Sequence, residues 1–359
     1  MSRPLLVLAA IAALLLGADK LLSARAPSSS HAPALVHVSD LMTKDDKVVA
    51  GLSLDLEGGA QRLLYARSRG MWRCLSAWGA PCDGPRVEAL VLGLIGAHGV
   101  VLDASDASRP RFGLDGAQTV EIALHGKALL EDPKGDEVLR ARFAAADSPF
   151  AMLSARPGVL ELDFWPGAAV SPAGPGLPPL LETRIAPGVF PLPGKRVDHM
   201  FVQRANGPSY ELARRTREPS QEPDPTDPGA ALGWEWWLIE GERQVLMGPL
   251  RGEAYVTWIP RAPYIALADP ASAAERGFDA PSAKLTLVPD EGPPLEIELG
   301  AVLPEGGMWV RAPATPLLSR IDARTAAMIL PDLIDLTDDT RDNVWDLALR
   351  KAMEQARPR

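Results

Sequence analysis

The chain has 359 residues, of which 47% are hydrophobic and 23% charged, a composition typical of a folded protein long enough for two domains. Its formal net charge is −9, because 37 Lys and Arg stand against 46 Asp and Glu. This balance argues against broad binding to nucleic acid or to anionic lipid surfaces, since both require a basic face.

Residues 1–22 are predicted to form a membrane anchor. Arg3 precedes an uncharged apolar stretch over residues 4–18. A helix that continues to the end of this segment would measure about 28 Å, close to the roughly 30 Å of a hydrocarbon core. The alternative is a cleaved signal peptide, because residues 24–26 read Ala-Arg-Ala, an A-x-A cleavage motif. Both alternatives predict an exported protein, with residues 23–39 as a tether.

Residues 40–165 are predicted to form a first β-rich module that carries one short helix. Leu52, Leu54 and Leu56 alternate with other residues ahead of paired glycines, a pattern typical of a strand that enters a hairpin. Asp83 is the predicted N-cap of the helix. The apolar residues that follow it at helical spacing are Val87, Leu90, Val91 and Leu94. Further strands are predicted at 100–103, 119–124, 137–144 and 159–164.

Residues 166–184 are rich in proline and glycine and are predicted to be the linker to a second module, residues 185–330. A Pro- and Glu-rich insertion at 218–229 is expected to be disordered. Residues 331–359 are predicted to be a helical tail, whose last helix covers 342–355. Because strands and helices do not alternate regularly, the predicted fold class is α+β, with two tandem similar β-rich modules that each carry a short helix on the sheet.

The two modules repeat the same order of short sequence words. The words of the first module are Ala-Arg at 66–67, Trp72, Gly-Pro at 84–85 and Phe-Gly-Leu-Asp at 112–115. The words of the second module are Ala-Arg at 213–214, Trp236 or Trp237, Gly-Pro at 248–249 and Gly-Phe-Asp at 277–279. Duplicated modules typically build a frame or an extended surface. We therefore expect the two halves to superpose.

This arrangement resembles the bacterial domain-of-unknown-function family numbered 4340, over residues 4–330. The shared elements are a membrane segment, successive strands, a strand with tryptophan, a short helix and a Phe-Gly-Leu-Asp turn. The second module departs from the pattern at 277–279 and carries the long insertion. The resemblance implies an N-terminally anchored protein encoded beside ABC transporters of the gliding-motility type. The family provides no catalytic residues to carry over.

Cys74 and Cys82 are the only cysteines of the chain. In an exported protein, two cysteines separated by seven residues are expected to form a disulfide that closes a short loop. The alternative is a pair of free, partly buried thiols. A metal or redox site is not expected, because the chain has no C-x-x-C motif.

Trp234, Trp236 and Trp237 fall within four positions. If this segment is a strand, Trp234 and Trp236 share one face and Trp237 lies on the other. Trp236 or Trp237 is predicted to be core, as the counterpart of Trp72. Trp234 is the candidate for an interaction surface, because exposed tryptophan is enriched at interfaces, with plain packing as the alternative.

The remaining chemistry-bearing residues follow no catalytic pattern. The five histidines have no ligand spacing, and the chain has neither a G-x-S-x-G motif nor a Walker-type glycine loop. The five aspartates between 332 and 342 lack the order of a calcium loop, and helix capping is expected to explain them. No catalytic, cofactor or metal site is therefore predicted.

The sequence predicts a non-enzymatic accessory or scaffold protein. We expect it to be anchored in the inner membrane with a periplasmic body, to work with ABC-transporter-type membrane proteins and to bind no nucleic acid. The alternative is a binding module for an envelope polymer or lipid, in a periplasmic protein released by signal cleavage. An exported hydrolase is the third hypothesis, and it requires a catalytic cluster that forms only in three dimensions.

Overall fold

The computed structural model describes residues 35–42, 48–126, 137–186, 196–216, 233–312 and 315–337. Its secondary structure is mainly β-sheet with few helices, which confirms a β-rich α+β protein. Across these ranges, no helix is both long enough and apolar enough to cross a membrane. Three predicted segments lie outside the described residues: the anchor at 1–22, the insertion at 218–229 and the helix at 342–355.

The first sheet has ten strands, each antiparallel to its neighbours. In chain order they are β1 (Leu35–His37), β2 (Gly51–Leu56), β3 (Gln61–Ser68), β4 (Met71–Cys74), β5 (Ala80–Pro81), β6 (His98–Asp103), β7 (Val120–His125), β8 (Glu137–Phe143), β9 (Phe150–Leu153) and β10 (Arg156–Leu162). Across the sheet the order is β1-β6-β10-β9-β8-β7-β2-β3-β4-β5. Helix α1 (Gly84–Ile95) therefore connects one edge, at β5, to the far side, at β6.

Two short strands, β11 (Pro172–Gly174) and β12 (Leu177–Pro179), pair with each other before the second sheet begins. The nine strands of that sheet are β13 (Val197–Arg204), β14 (Tyr210–Thr216), β15 (Trp234–Glu240), β16 (Arg243–Leu246), β17 (Ala266–Ala268), β18 (Ala283–Pro289), β19 (Leu295–Val302), β20 (Met308–Ala312) and β21 (Thr315–Ile321). Helix α2 (Pro249–Trp258) joins β16 to β17, and α3 (Ala323–Ile329) and α4 (Leu333–Thr337) follow β21.

The second sheet repeats the strand order of the first. It runs β17-β21-β20-β19-β18-β13-β14-β15-β16, which matches β6-β10-β9-β8-β7-β2-β3-β4-β5 strand for strand. Both helices occupy the same place in the order, between the fourth and the fifth of these nine strands along the chain. Strand β1 is an addition at the outer edge of the first sheet.

The register of the two sheets also corresponds. Leu52 of β2 pairs with Tyr65 on one side and with Leu124 on the other. Met200 of β13 pairs with Leu212 and with Leu287 in the same way. All six side chains are buried. Side chains at equivalent positions of the two sheets therefore point toward the core. A shift of one residue in the pairing would have placed them on the opposite face of the sheet.

The sequence correctly predicts helix α1. The Asp83 carboxylate accepts a hydrogen bond from the backbone N–H of Arg86, and Pro85 lies in the first turn, where no N–H is required. The residues that the helix buries are the four predicted ones, Val87, Leu90, Val91 and Leu94. Helix α2 has no side-chain cap at Gly248, and a short 3-10 turn at Ile259–Arg261, which contains Pro260, ends it.

The predicted linker, residues 166–184, is buried mainly at its C-terminal end. Its last part belongs to a stretch that we call the junction segment, residues 177–186, which lies between the two halves. The Leu180 carbonyl accepts the N–H of Asp83 at 2.9 Å in the first half, while Ile185 donates its N–H to the Ala262 carbonyl at 3.0 Å in the second. Its buried side chains include Leu177, Leu180, Leu181 and Ile185.

The predicted tether, residues 23–39, is also structured at its end. Residues 35–37 form β1, which pairs with β6, and Val36 and Val38 are buried. The physical reason is that the short apolar run LVHV completes the open edge of the sheet and buries alternate side chains. Residues 23–34 lie outside the described ranges.

Candidate functional site

Each sheet carries a buried tryptophan that is hydrogen-bonded to the helix of the same half. The Trp72 indole donates its Nε1–H to Glu88 Oε1 at 2.9 Å, and Trp236 donates its Nε1–H to Glu253 Oε2 at 3.2 Å. Arg67 pairs with Trp72 across β3 and β4, as Arg214 pairs with Trp236 across β14 and β15. Trp236, rather than Trp237, is therefore the counterpart of Trp72.

The contact between α2 and Trp236 depends on a glycine. A Cβ atom at Gly252 would lie 2.3 Å from Cγ of Trp236, which is closer than any real contact. The absence of a side chain therefore allows the helix to approach the indole. The same contact places the Glu253 carboxylate within reach of the indole N–H.

Trp234, the sequence-predicted contact residue, is half-buried and packs against the edge of the core. The Arg214 guanidinium lies 4.0 Å from its ring centroid, and that of Arg196 lies 5.2 Å from it. Arg214 also approaches Asp198 at 3.5 Å. Cation–π contacts of this kind contribute about 0.5–2 kcal/mol each. Trp234 is thus fixed within a charged cluster, and its role at an interface stays a prediction.

Sequence reasoning missed the two most exposed tryptophans of the described chain. Trp78 is 46% exposed and Trp165 is 52% exposed. Each directly precedes a turn, at Gly79 and at Pro166, and Trp78 itself has a φ of 51°. The sequence signal for this exposure was the position of each tryptophan next to a turn residue, because side chains at a chain reversal have fewer neighbours to cover them.

Cys74 and Cys82 are free thiols in the structure and do not form the expected disulfide. Cys74 of β4 pairs with Ala80 of β5, and Cys82 follows directly after the end of β5, two residues beyond Ala80 and on the same face. The Cα atoms of diagonal neighbours in an antiparallel pair are roughly 7–8 Å apart, whereas a disulfide usually requires Cα atoms about 4.4–6.8 Å apart. The strand register that the sheet imposes is the physical reason for the difference.

The environment of the two thiols suppresses their reactivity. Burial raises the pKa of the Cys74 thiol to about 11 and raises that of Cys82 further. Both groups are therefore protonated at neutral pH, and a protonated thiol is a poor nucleophile and a poor metal ligand. Cys82 forms an isolated β-bridge with Leu181, so the thiols belong to the packing around the junction segment.

We expect both cysteines of the unfolded protein to react with an alkylating reagent without prior reduction. The native protein at pH 8 should react slowly, because the raised pKa values leave little thiolate. Mass spectrometry after alkylation in denaturant, with and without reductant, measures this difference. Blocked cysteines that become accessible only after reduction would show that the disulfide forms despite the register.

Charged groups also lie beside the junction segment. Burial raises the pKa of Glu182, although Arg184 approaches its carboxylate at 3.2 Å. Burial, followed by repulsion from Arg184, lowers the pKa of Arg261. Tyr264 donates its hydroxyl hydrogen to the Glu182 carbonyl at 2.9 Å. Of these contacts, the hydrogen bond from Tyr264 joins the junction segment to the second half, while Glu182 and Arg184 pair within the segment.

The histidines of the described chain have local partners. His125 is buried and contacts the Ser53 hydroxyl at 3.3 Å, while His199 contacts Glu211 at 2.8 Å. Within the described ranges, no group of three or more His, Cys, Asp or Glu could hold a metal ion. Of the aspartates between 332 and 342, only Asp332 and Asp335 lie inside these ranges.

Comparisons with protein-family models, with curated proteins and with solved structures found no match to this chain. The functional interpretation therefore rests on the geometry of the two halves, on their junction and on the side chains that they expose.

Proposed function

We propose that this protein is a non-enzymatic scaffold or accessory protein of a membrane transport system of the ABC type. In this proposal residues 1–22 anchor it in the inner membrane and the body is periplasmic. The chain is a duplicated module, with copies at 40–165 and 185–330. The resemblance to the family numbered 4340 suggests the location and the class of partner.

The observation that carries the proposal is the repeated strand order and register of the two sheets. Both copies keep the same core, and the Trp72–Glu88 and Trp236–Glu253 contacts lie at equivalent places. Packing therefore constrains the residues of each copy throughout. The junction segment adds backbone hydrogen bonds to both halves. Such a molecule presents two fixed surfaces at a fixed separation, which is what a scaffold requires.

Recovery of the tagged full-length chain from membranes tests this function. We expect the chain to stay with the membrane fraction after a salt wash and, after cross-linking and detergent extraction, to carry ABC-type permease or ATPase subunits with it. Trp234→Ala should reduce that recovery severalfold, while Trp237→Ala on the opposite face of the same strand should not. Recovery of the chain alone, from the soluble fraction, would contradict the proposal.

A binding module for an envelope polymer or lipid is the second candidate. The exposed indoles of Trp78 and Trp165 favour it, because aromatic rings stack on sugars and insert at lipid interfaces. In the same experiment, this function predicts release from membranes by salt and co-purification of polysaccharide or lipid in place of transporter subunits.

A further inference from the structure

A pocket of about 350 Å³ opens beside the first sheet. Arg140 and Arg142 line it from β8, where they alternate with the buried residues Leu139, Ala141 and Phe143 and so lie on the face away from the core. Arg109 joins the lining from the 3-10 turn at Asp106–Phe112, and Arg156 joins it from the start of β10. Four guanidinium groups therefore converge from three different parts of the chain.

The carboxylates around the pocket do not balance these arginines. Glu121 binds Arg140 at 2.6 Å and Arg142 at 3.0 Å, so one carboxylate serves two guanidinium groups. Asp106 binds Arg109 at 3.0 Å. Glu137 lies outside the lining and also binds Arg140. Asp55 also lies near Arg140 and Arg142, but it pairs with a further arginine, Arg62, at 3.6 Å. With Glu137, Asp55 and Arg62 included, four carboxylates face five guanidinium groups, and the pocket keeps a positive charge.

Two of the arginines have unused hydrogen-bonding capacity. Among the residues that the structure describes, Arg156 makes no side-chain hydrogen bond or ion pair. Nε of Arg109 is buried and has no hydrogen-bond partner among the described residues. A buried donor that has lost water without gaining an acceptor destabilises the protein, which a ligand oxygen would correct.

The second half provides an internal comparison, because its register is the same. Glu121 pairs with Arg142 across β7 and β8, and at the equivalent place Lys284 pairs with Glu298 across β18 and β19. The signs of the charges are thus reversed, and Lys284 still forms an ion pair, with Glu296 at 3.0 Å. The fold accepts either arrangement, so it does not require arginine at these places in the first half.

We propose that this pocket binds a small organic oxyanion, a phosphate ester or a carboxylate, through Arg109 and Arg156. The planar guanidinium group donates two parallel hydrogen bonds to an oxyanion, which suits it to this chemistry better than lysine. The volume is at the lower end of the range of small-molecule sites, about 300–1,000 Å³. Met152 and Pro157, which also line the pocket, provide an apolar contact for the body of the ligand.

Isothermal titration of the full-length protein tests the site with three small probes. They are glycerol phosphate, succinate and, as the neutral match, glycerol. We expect at least one of the two anions to bind and glycerol not to bind. Binding of glycerol phosphate alone assigns a phosphate ester, binding of succinate alone assigns a carboxylate, and binding of both supports a general oxyanion site.

The variants Arg156→Ala and Arg243→Ala separate a defined site from general attraction. Each removes one positive charge, but Arg243 is an exposed residue of β16 in the second half, 4.0 Å from Glu240. Arg156→Ala should weaken binding about tenfold or more, because a charge-assisted hydrogen bond is lost, and Arg243→Ala should change it less than about twofold. Equal weakening by both variants, or no binding of either anion, would overturn the proposal.

Discussion

Replacing Trp236 with alanine is expected to lower the free energy of unfolding by about 3–5 kcal/mol, the usual cost of removing a large buried aromatic side chain. Trp236 is 1% exposed and is the largest fully buried side chain among the described residues. The variant also leaves the Glu253 carboxylate without the indole N–H and opens a cavity beneath α2. Chemical denaturation followed by circular dichroism measures the change.

Trp237→Ala is the matched control, because Trp237 is the next residue of the same strand and lies on the opposite face. It is half-buried, and its loss should cost about 1 kcal/mol. Trp72→Ala should destabilise the protein as much as Trp236→Ala does, since both tryptophans occupy the same register position. The equivalence of Trp72 and Trp236 would be contradicted if their replacement by alanine lowered the free energy of unfolding by different amounts and if Trp237→Ala lowered it as much as one of them.

Replacing Leu181 with alanine is expected to cost about 2.5–5 kcal/mol, as for other fully buried leucines. Leu181 is 3% exposed and lies in the junction segment, where the chain is hydrogen-bonded to both halves. The unfolding transition should also broaden, because the cavity weakens the contact through which the halves stabilise each other. Denaturant titration with two probes, tryptophan fluorescence and circular dichroism, measures both effects.

Leu92→Ala is the control for the same chemical change on the surface. Leu92 is 63% exposed on α1, so its truncation should change the free energy of unfolding by less than about 0.5 kcal/mol. A similar cost for Leu181 and Leu92 would mean that the junction segment contributes little to stability.

Local signals were sufficient to predict part of the fold. Helix α1 was predictable because the cap at Asp83, the proline in the first turn and the helical spacing of its apolar residues agree. Strand β9 was not, because its residues FAML are all apolar and hide the alternation that marks a half-buried strand. The burial within the junction segment was not predicted, because composition rich in proline and glycine indicates a loop, although its closely spaced leucines were a signal of burial.

The candidate sites also differ in how far the sequence alone could predict them. Arg140 and Arg142 alternate on a predicted strand, so a shared face was predictable, whereas Arg109 and Arg156 reach the same pocket from a turn and from another strand. The proximity of those two residues depends on tertiary structure. The cysteine pair shows the converse, because sequence separation alone suggested a bond that the strand register makes unfavourable.

Differential scanning calorimetry of the full-length chain tests most directly whether the two halves form one rigid frame. Buried hydrophobic residues of both halves belong to one continuous core cluster, and the junction segment is bonded to each half. We therefore predict a single transition of the described body, with equal calorimetric and van't Hoff enthalpies. Two separable transitions, each with about half of the total enthalpy, would contradict a single frame and would show that the halves unfold independently.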